Sequence, residues 1–254
     1  MKKIVDWLLR KTGLQFFPVR AREGLVRGAR WTLYPFTSYW RGTSDPGAIR
    51  WVDQFCRPGG VAWDLGAHFG LYTVGMAMRV GPTGQVVSFE PEPAAFARCR
   101  LHVQMNRLAW VRVFPLAASS SNGSISLVSA EGAGSTTSYV TPATGSGPAL
   151  ASVRLDDLVS RENLRPPDFI KVDVENHGAE ALAGAREVLA SARPNLLMSF
   201  HSEDELAGAR SILAPLGYRV MALDGTPVDW SAALYKTALL LRPENFVPGR
   251  PPNP

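Results

Sequence analysis

The stretch Val61-Ala62-Trp63-Asp64-Leu65-Gly66-Ala67-His68-Phe69-Gly70, with Glu90 twenty residues beyond Gly70, constrains this chain more than any other. Val61 to Leu65, apolar but for Asp64, fit a buried strand that runs into a glycine turn. A helix starting near Leu71 follows, and Val86-Val87-Ser88-Phe89-Glu90 reads as a second strand with a carboxylate at its tip. Glycine lets backbone come close to a ligand, and a helix start presents N–H groups that have no intrahelical partner. An acid at the second strand end is placed to grip both hydroxyls of a ribose. The pattern predicts a nucleotide-like cofactor.

Spacing and charge separate the candidates. A pyrophosphate loop follows Gly-x-Gly-x-x-Gly, whereas here Gly66 and Gly70 flank three residues. Asp64, just before the turn, would repel a pyrophosphate. It suits the amino-acid end of S-adenosylmethionine, which carries an ammonium and a sulfonium. That cofactor is the expectation, with a dinucleotide site or a turn without ligand as the alternatives.

At 254 residues the chain can form one large α/β domain or two small ones, and 46% hydrophobic against 19% charged residues marks it as globular. Its net charge of +5 is compatible with a phosphorylated substrate, nucleic acid or an anionic membrane surface, but proves none of them, and an arginine-rich exterior is the favoured account. Cys56 and Cys99 form neither a disulfide framework nor a metal cluster, so a reducing, cytoplasmic setting is expected. The start Met1-Lys2-Lys3-Ile4-Val5-Asp6-Trp7-Leu8-Leu9 imitates a signal peptide, but its apolar run is short, holds Asp6 and closes on Arg10-Lys11. No stretch is long enough to span a bilayer. An amphipathic helix presenting Ile4, Val5, Leu8 and Leu9 fits better, packed on the domain or, alternatively, giving residues 1–17 peripheral membrane contact.

Three regions are predicted: a helical or irregular N-terminal extension over 1–48, a domain over 49–246, and a disordered, proline-rich tail over 247–254. Strands are expected at 61–65, 86–90, 111–116, 168–174, 195–200, 218–223 and 237–242. Helices are expected near 48–57, 70–80, 92–107, 155–162, 178–192 and 203–216. Such alternation builds a mainly parallel sheet with helices on both faces. An inserted hairpin and loop over 120–155 interrupts it. Within that insertion Glu131–Leu150, dense in Gly, Ser, Thr and Pro, reads as a mobile surface loop, either a passive linker or a lid.

These residues resemble the FkbM-type S-adenosylmethionine-dependent methyltransferases over roughly 42–203. Asp64-Leu65-Gly66-Ala67-His68-Phe69-Gly70-Leu71-Tyr72-Thr73 is similar to the family's Asp-Val-Gly-Ala-Asn-x-Gly-x-Tyr-Thr, and Phe89-Glu90-Pro91 to its Phe-Glu-Pro. Leu155-Asp156-Asp157-Leu158, Ile170-Lys171-Val172-Asp173-Val174-Glu175 and Gly184-Ala185 follow in the family's order. The resemblance implies a Rossmann-like class I fold, a seven-stranded sheet whose last strand is antiparallel. It implies that Asp64, Gly66, Ala67, His68, Phe69, Gly70, Glu90, Pro91 and Ala118 bind the cofactor. The expected activity is O-methylation of a hydroxyl on a sugar, glycolipid or polyketide-type molecule. Three positions depart from the pattern. The family Asn is His68, its Gly and Glu after the fourth strand are Asn176 and Gly178, and the Glu of its Glu-x-His is Ser199. Asn176 tolerates left-handed backbone and can preserve that turn.

Asp173, Glu175 and His201 fall at or past the ends of neighbouring strands, beside the expected methyl group. Lys171, Asp173 and Glu175 share one strand face, and a buried Lys171 needs a carboxylate, with Asp173 nearest. An alcohol of pKa about 15 must lose its proton on attack, and a positioned base contributes about 10²–10⁴ in rate. His201 is the first candidate, since an ordinary imidazole titrates near working pH; Asp173 comes second and His177 third. Asp173, Glu175, His177 and His201 could also hold a divalent metal, although nothing in the spacing requires one and none is expected. Trp40 and Arg41 could stack on a sugar and bind an acidic group, or form an ordinary packed edge. Two rival functions are weighed: a nucleic-acid methyltransferase, although the lysines and arginines are scattered and no nucleic-acid partner is expected, and a cofactor-binding protein that has lost catalysis along with its family carboxylates.

Overall fold

The computed structural model describes residues 11–13, 17–32, 46–129, 138–142, 149–233 and 237–244. The expected helix at 4–9, Trp40, Arg41, most of the 131–150 loop and the tail from 247 lie outside them. Residues 17–32, expected to be helical or irregular, form a β-hairpin: β1 (Pro18–Arg20) pairs antiparallel with β2 (Arg30–Thr32) around a 3₁₀ turn at Gly24–Val26. Leu25, Val26, Ala29 and Trp31 are buried, so the hairpin is fastened to the domain by its apolar residues. Leu25 and Val26 each contribute roughly 1.5–3 kcal/mol.

The alternating part follows. It starts with α1 (Pro46–Phe55), β3 (Val61–Leu65), α2 (Leu71–Val80), β4 (Gln85–Phe89), α3 (Pro93–Met105) and β5 (Val111–Phe114). The insertion then supplies β6 (Ala117–Ala118), β7 (Gly123–Ser129), β8 (Ser138–Pro142) and β9 (Ala149–Val153). The remainder is α4 (Leu155–Glu162), β10 (Phe169–Val172), α5 (Gly178–Ala183), α6 (Arg186–Ser191), β11 (Asn195–Phe200), α7 (Glu203–Leu213), β12 (Tyr218–Met221), β13 (Pro227–Val228) and β14 (Thr237–Pro243).

The central sheet runs β13-β12-β14-β11-β10-β3-β4-β5. β3, β4, β5, β10 and β11 are parallel, and β14 enters antiparallel between β11 and β12. The sheet has eight strands rather than the expected seven. Asp224 accepts from the Thr226 N–H at 2.8 Å and Gly225 takes φ +94°, a turn that brings Pro227 and Val228 back against Met221 and Val220. α2 and α3 pack with the hairpin on one face; α4 to α7 pack on the other.

Two further expectations change. The helix foreseen over 178–192 is two, because Gly184 lies so close to the insertion that a Cβ there would sit 1.9 Å from the Ser119 carbonyl oxygen. The Asp156 carboxylate then caps the new start by accepting from the Glu187 and Val188 N–H groups at 3.2 and 3.1 Å. Within the 131–150 loop, Ser138–Pro142 is a strand paired to Ile125–Ser129, so the insertion is a four-stranded sheet of order β6-β9-β7-β8. Tyr139, Val140 and Thr141 suit a pleated strand although the segment lacks alternation. Among the described residues no helix is long and apolar enough to cross a membrane.

Candidate cofactor and acceptor site

The parallel registers set Asp64 beside Ser88 on β4 and Lys171 on β10, making a polar row across three central strands. Asp64 is 0% exposed. Its Oδ2 accepts from the Thr73 hydroxyl on α2 at 2.6 Å, and that hydroxyl lies 2.9 Å from Ser88 Oγ. Lys171 Nζ lies 3.7 Å from Asp64 Oδ1 and 3.3 Å from Asp173 Oδ2, and donates to the Gly66 carbonyl at 3.1 Å. Burial alone would lower the Lys171 ammonium, but the Asp173 and Asp64 carboxylates outweigh it and its pKa rises. Burial raises Asp64 against the pull of Lys171 and Thr73. Lys171 thus has the carboxylate it needs, and a second one besides.

The glycine turn hangs over this row. The N–H groups of Gly66 and Ala67 both donate to the Phe89 carbonyl at 3.0 Å. Gly66 takes φ +82°, and a Cβ there would meet the Asp173 carbonyl oxygen at 2.0 Å. Gly70, at φ +86°, touches α3, where a Cβ would meet Cys99 Sγ at 2.8 Å. His68 is itself left-handed at φ +48°, and its N–H donates to Glu90 Oε2 at 2.6 Å. The other oxygen of Glu90 accepts from the Glu92 N–H at 2.9 Å, across Pro91. Burial pushes Glu90 up to about 7 against those two donors. Burial also takes His68 down to about 4, so its ring, stacked 3.9 Å from that of Phe69, is neutral. Asp64, Gly66 to Gly70, Glu90 and Pro91 therefore gather at the ends of β3 and β4. Ala118 is buried in β6, in the same core as Phe89.

Next to the turn stands a charged cluster. Asp173 extends the ladder by one bond, its N–H donating to the Leu65 carbonyl at 2.9 Å. The strand ends there, so the common face foreseen for Lys171, Asp173 and Glu175 does not reach Glu175. Glu175 and Asn176 are left-handed, at φ +30° and +63°, an unfavourable backbone for Glu and a tolerated one for Asn. His201 Nε2 lies 3.3 Å from Asp173 Oδ1 and 3.5 Å from Glu175 Oε2. Its Nδ1 lies 3.3 Å from Glu205 Oε2. Asp173, Glu205 and Glu175 push His201 up to about 10, so at neutral pH it is an imidazolium. This corrects the reason for placing it first as a base, because an imidazolium has no lone pair to offer. Burial opposes but Lys171 and His201 prevail at Asp173, holding it well below the usual carboxylate range; burial raises Glu175. One ligating atom each from Asp173, Glu175 and His201 fall within 4.8 Å of one another. His177 turns elsewhere, with Nε2 3.0 Å from Ser119 Oγ and its pKa lowered by burial.

A family model described as the methyltransferase FkbM domain matches residues 64–220, from the acid of the first central strand into β12. The chain belongs to the FkbM methyltransferase family. It is similar to the hexuronic acid methyltransferase AglP of Haloferax volcanii, 30% identical over 74% of this chain and 77% of that one. It is also similar to the 2-O-methyltransferase NoeI of Sinorhizobium fredii, 30% identical over 54% of this chain and 62% of NoeI, less than two thirds of that protein. Among solved structures, a methyltransferase FkbM from Methylobacillus flagellatus KT aligns with TM-score 0.49 and 20% identity over 72% of this chain and 43% of its own. The protein is accordingly an S-adenosylmethionine-dependent methyltransferase.

Against the FkbM pattern, the missing glutamate at 178 has a physical substitute. A Cβ at Gly178 would meet Met198 Cε at 2.4 Å and Glu205 Oε1 at 2.6 Å, so a larger residue would require both of those side-chain ends to move. The space is taken by Glu205, 3% exposed, which accepts from the Gly178 N–H at 2.8 Å and the His201 N–H at 2.7 Å. Glu205 carries only a local signal in the sequence, the capping-box pattern Ser202-x-x-Glu205, in which the Ser202 hydroxyl accepts from the Glu205 N–H at 3.2 Å. Thr73 and Ser88, which complete the polar row, were unmarked.

Proposed function

We propose that this methyltransferase transfers its methyl group to a hydroxyl oxygen of a sugar, and that Glu175 takes the acceptor proton. The carrying observation is the Asp173–Glu175–His201 cluster, set beyond the ends of β10 and β11 and joined to the glycine turn through Lys171. The sugar class is supported by the two relatives, one named for hexuronic acid and one for 2-O-methylation.

The residues fit S-adenosylmethionine. Asp64 Oδ1 is fully buried with no hydrogen-bond partner, a negative atom beneath the turn suited to a cationic ligand. Glu90 stands at the second strand end with lone pairs left for ribose hydroxyls. Asp64, Gly66, Ala67, His68, Phe69, Gly70, Glu90, Pro91 and Ala118 would hold the cofactor. When bound, it supplies a methyl group activated on a sulfonium, open to in-line displacement by oxygen.

The chain's own task is to position the acceptor, exclude water and accept its proton. Of the three candidate groups, His201 is already protonated and Asp173 is acidified by two cations, so neither is a good base. Glu175 is more basic than an ordinary carboxylate and is 30% exposed, open to the acceptor side. His201 keeps Glu175 and Asp173 in place. No metal enters this scheme; Lys171 and His201 already stand against the carboxylates.

The test is turnover with hexuronic acid and neutral glycosides, reading S-adenosylhomocysteine release and the methylated position by NMR. Methyl ethers on a sugar, lost in Glu175→Gln, support the reading. Transfer only to RNA, with steep salt dependence, would favour the nucleic-acid alternative. Cofactor binding without transfer to any acceptor would favour the non-catalytic one.

A further inference from the structure

The cofactor turn is held from behind by a relay that reaches outside the region matching the family, from His102 on α3 to Thr32 on β2. His102 on α3 is 0% exposed, and both ring nitrogens are engaged. Nδ1 lies 2.7 Å from the carbonyl of Phe69, inside the turn. A carbonyl only accepts, so Nδ1 carries the hydrogen. Nε2 lies 3.1 Å from the Thr32 N–H and 2.8 Å from the Thr32 hydroxyl. A backbone N–H only donates, so Nε2 is the bare nitrogen and the ring is the neutral Nδ1–H tautomer. The Arg98 guanidinium in turn donates to Thr32 Oγ1 at 3.0 Å, which leaves the hydroxyl proton to point at Nε2. The donors run one way, from Arg98 to Thr32 to His102 to Phe69.

The rest of the hairpin holds this relay in register. Trp31 stacks on the His102 ring at 3.7 Å. Asn106, at the end of α3, accepts from the Arg30 N–H and donates to the Arg30 carbonyl, each at 2.7 Å. Leu25 presses on α2 where a Cβ at Gly75 would come within 2.3 Å of it, and its carbonyl accepts from Arg79 at 2.9 Å. The hairpin therefore clasps α2 and α3, the two helices that begin just after Gly70 and Glu90.

We propose that the β1–β2 hairpin is a working part of the cofactor site, and that His102 is a positioning residue that fixes the Phe69 carbonyl, and with it the glycine turn, against Thr32. The proposal rests on the cofactor reading above. It assigns to residues 17–32 a role in cofactor affinity, in addition to stability.

The experiment is calorimetric titration of the full chain with S-adenosylhomocysteine, well below each variant's melting temperature. Thr32→Val keeps shape and removes the hydroxyl, Thr32→Ser restores it, and His102→Leu removes both ring bonds. Val103→Ala, next to His102 and part of the apolar core on that face, controls for lost stability. Thr32→Val and His102→Leu should weaken binding about tenfold, the equivalent of one buried hydrogen bond. Thr32→Ser and Val103→Ala should bind as the wild type does, Val103→Ala despite a lower melting temperature. Wild-type affinity in Thr32→Val and in any folded His102→Leu overturns the brace; if His102→Leu does not fold, Thr32→Val alone decides. A wild-type chain that takes up no S-adenosylhomocysteine overturns the cofactor reading itself, and the brace with it.

Discussion

One oxygen of Glu205 meets His201 twice, accepting from its backbone N–H at 2.7 Å and lying 3.3 Å from Nδ1, so a single buried carboxylate sets both the backbone and the ring of the cluster's histidine. This is the arrangement by which a carboxylate orients an imidazole in many active sites. Glu205→Gln keeps the size and one acceptor but removes the charge that helps to hold the ring. Turnover should fall by about tenfold or more, with S-adenosylhomocysteine affinity within about twofold of wild type. Equal losses in both would mean that Glu205 supports the fold rather than the acceptor side.

His201 also makes stability depend on pH. Its folded pKa is pushed up to about 10, above the ordinary imidazole value of 6.5. The folded state thus holds this proton more tightly than the unfolded chain. The contribution is complete below about pH 6.5 and is lost as pH rises through about 10. The urea midpoint of the wild type should drop between pH 7 and pH 10, and that of His201→Gln should drop less. Parallel curves would remove His201 as the source.

Glu90 titrates within the working range, being raised by burial to about 7. Only the carboxylate can accept from the turn and from both ribose hydroxyls together. Affinity for S-adenosylhomocysteine should therefore climb from pH 6 to pH 8. Glu90→Gln should bind at least about tenfold more weakly at pH 8 and show a flatter profile. A Gln variant that binds as tightly as wild type would take Glu90 out of the site.

What the sequence discloses here depends on how local the signal is. β3 and the turn were legible because apolar runs punctuated by Gly66 and Gly70 have local meaning. Asn176 was read as a left-handed residue for the same reason, and its φ is +63°. The partners of Asp64 were not legible beyond Lys171, since Thr73 and Ser88 reach it only through helix–sheet packing and parallel register. The protonation state of His201 needs three carboxylates from separate positions, which no spacing rule collects. The hairpin's contact with the turn was hidden too, because Thr32 and His102 are seventy residues apart. β8 was missed because Ser and Thr in a low-hydrophobicity stretch carry little alternation, and pairing with β7 decides it.

Gly66 tests how tightly the turn is packed. Its φ of +82° and the 2.0 Å approach of a Cβ to the Asp173 carbonyl oxygen come from backbone on both sides, so no rotamer change relieves them. Gly66→Ala should cost roughly 3 kcal/mol or more in chemical denaturation. Gly28→Ala also takes a positive φ, +86°, but with nothing within 4 Å of its Cβ it should cost clearly less. Equal losses would show that left-handed strain, not the approach of β10, accounts for Gly66.

Lys171 is where fold and chemistry meet. Its ammonium joins Asp64 on β3, Asp173 past β10 and the Gly66 carbonyl, and it is 5% exposed. Removing one partner of a buried ion pair leaves the other charge uncompensated, at about 3–5 kcal/mol. Lys171→Met preserves the length and apolar stem, so its loss should come from that stranded charge. Asp64 is already raised by burial and would take up a proton in the variant, which makes the loss smaller at low pH. Unfolding free energies at pH 5 and pH 8 should therefore differ more from wild type at pH 8. Adding Asp64→Asn to Lys171→Met should recover part of the loss at pH 8, because the stranded carboxylate is gone. A double variant no more stable than Lys171→Met alone would mean that Asp64 was never the charge Lys171 compensates, and that Asp173 carries the pair by itself.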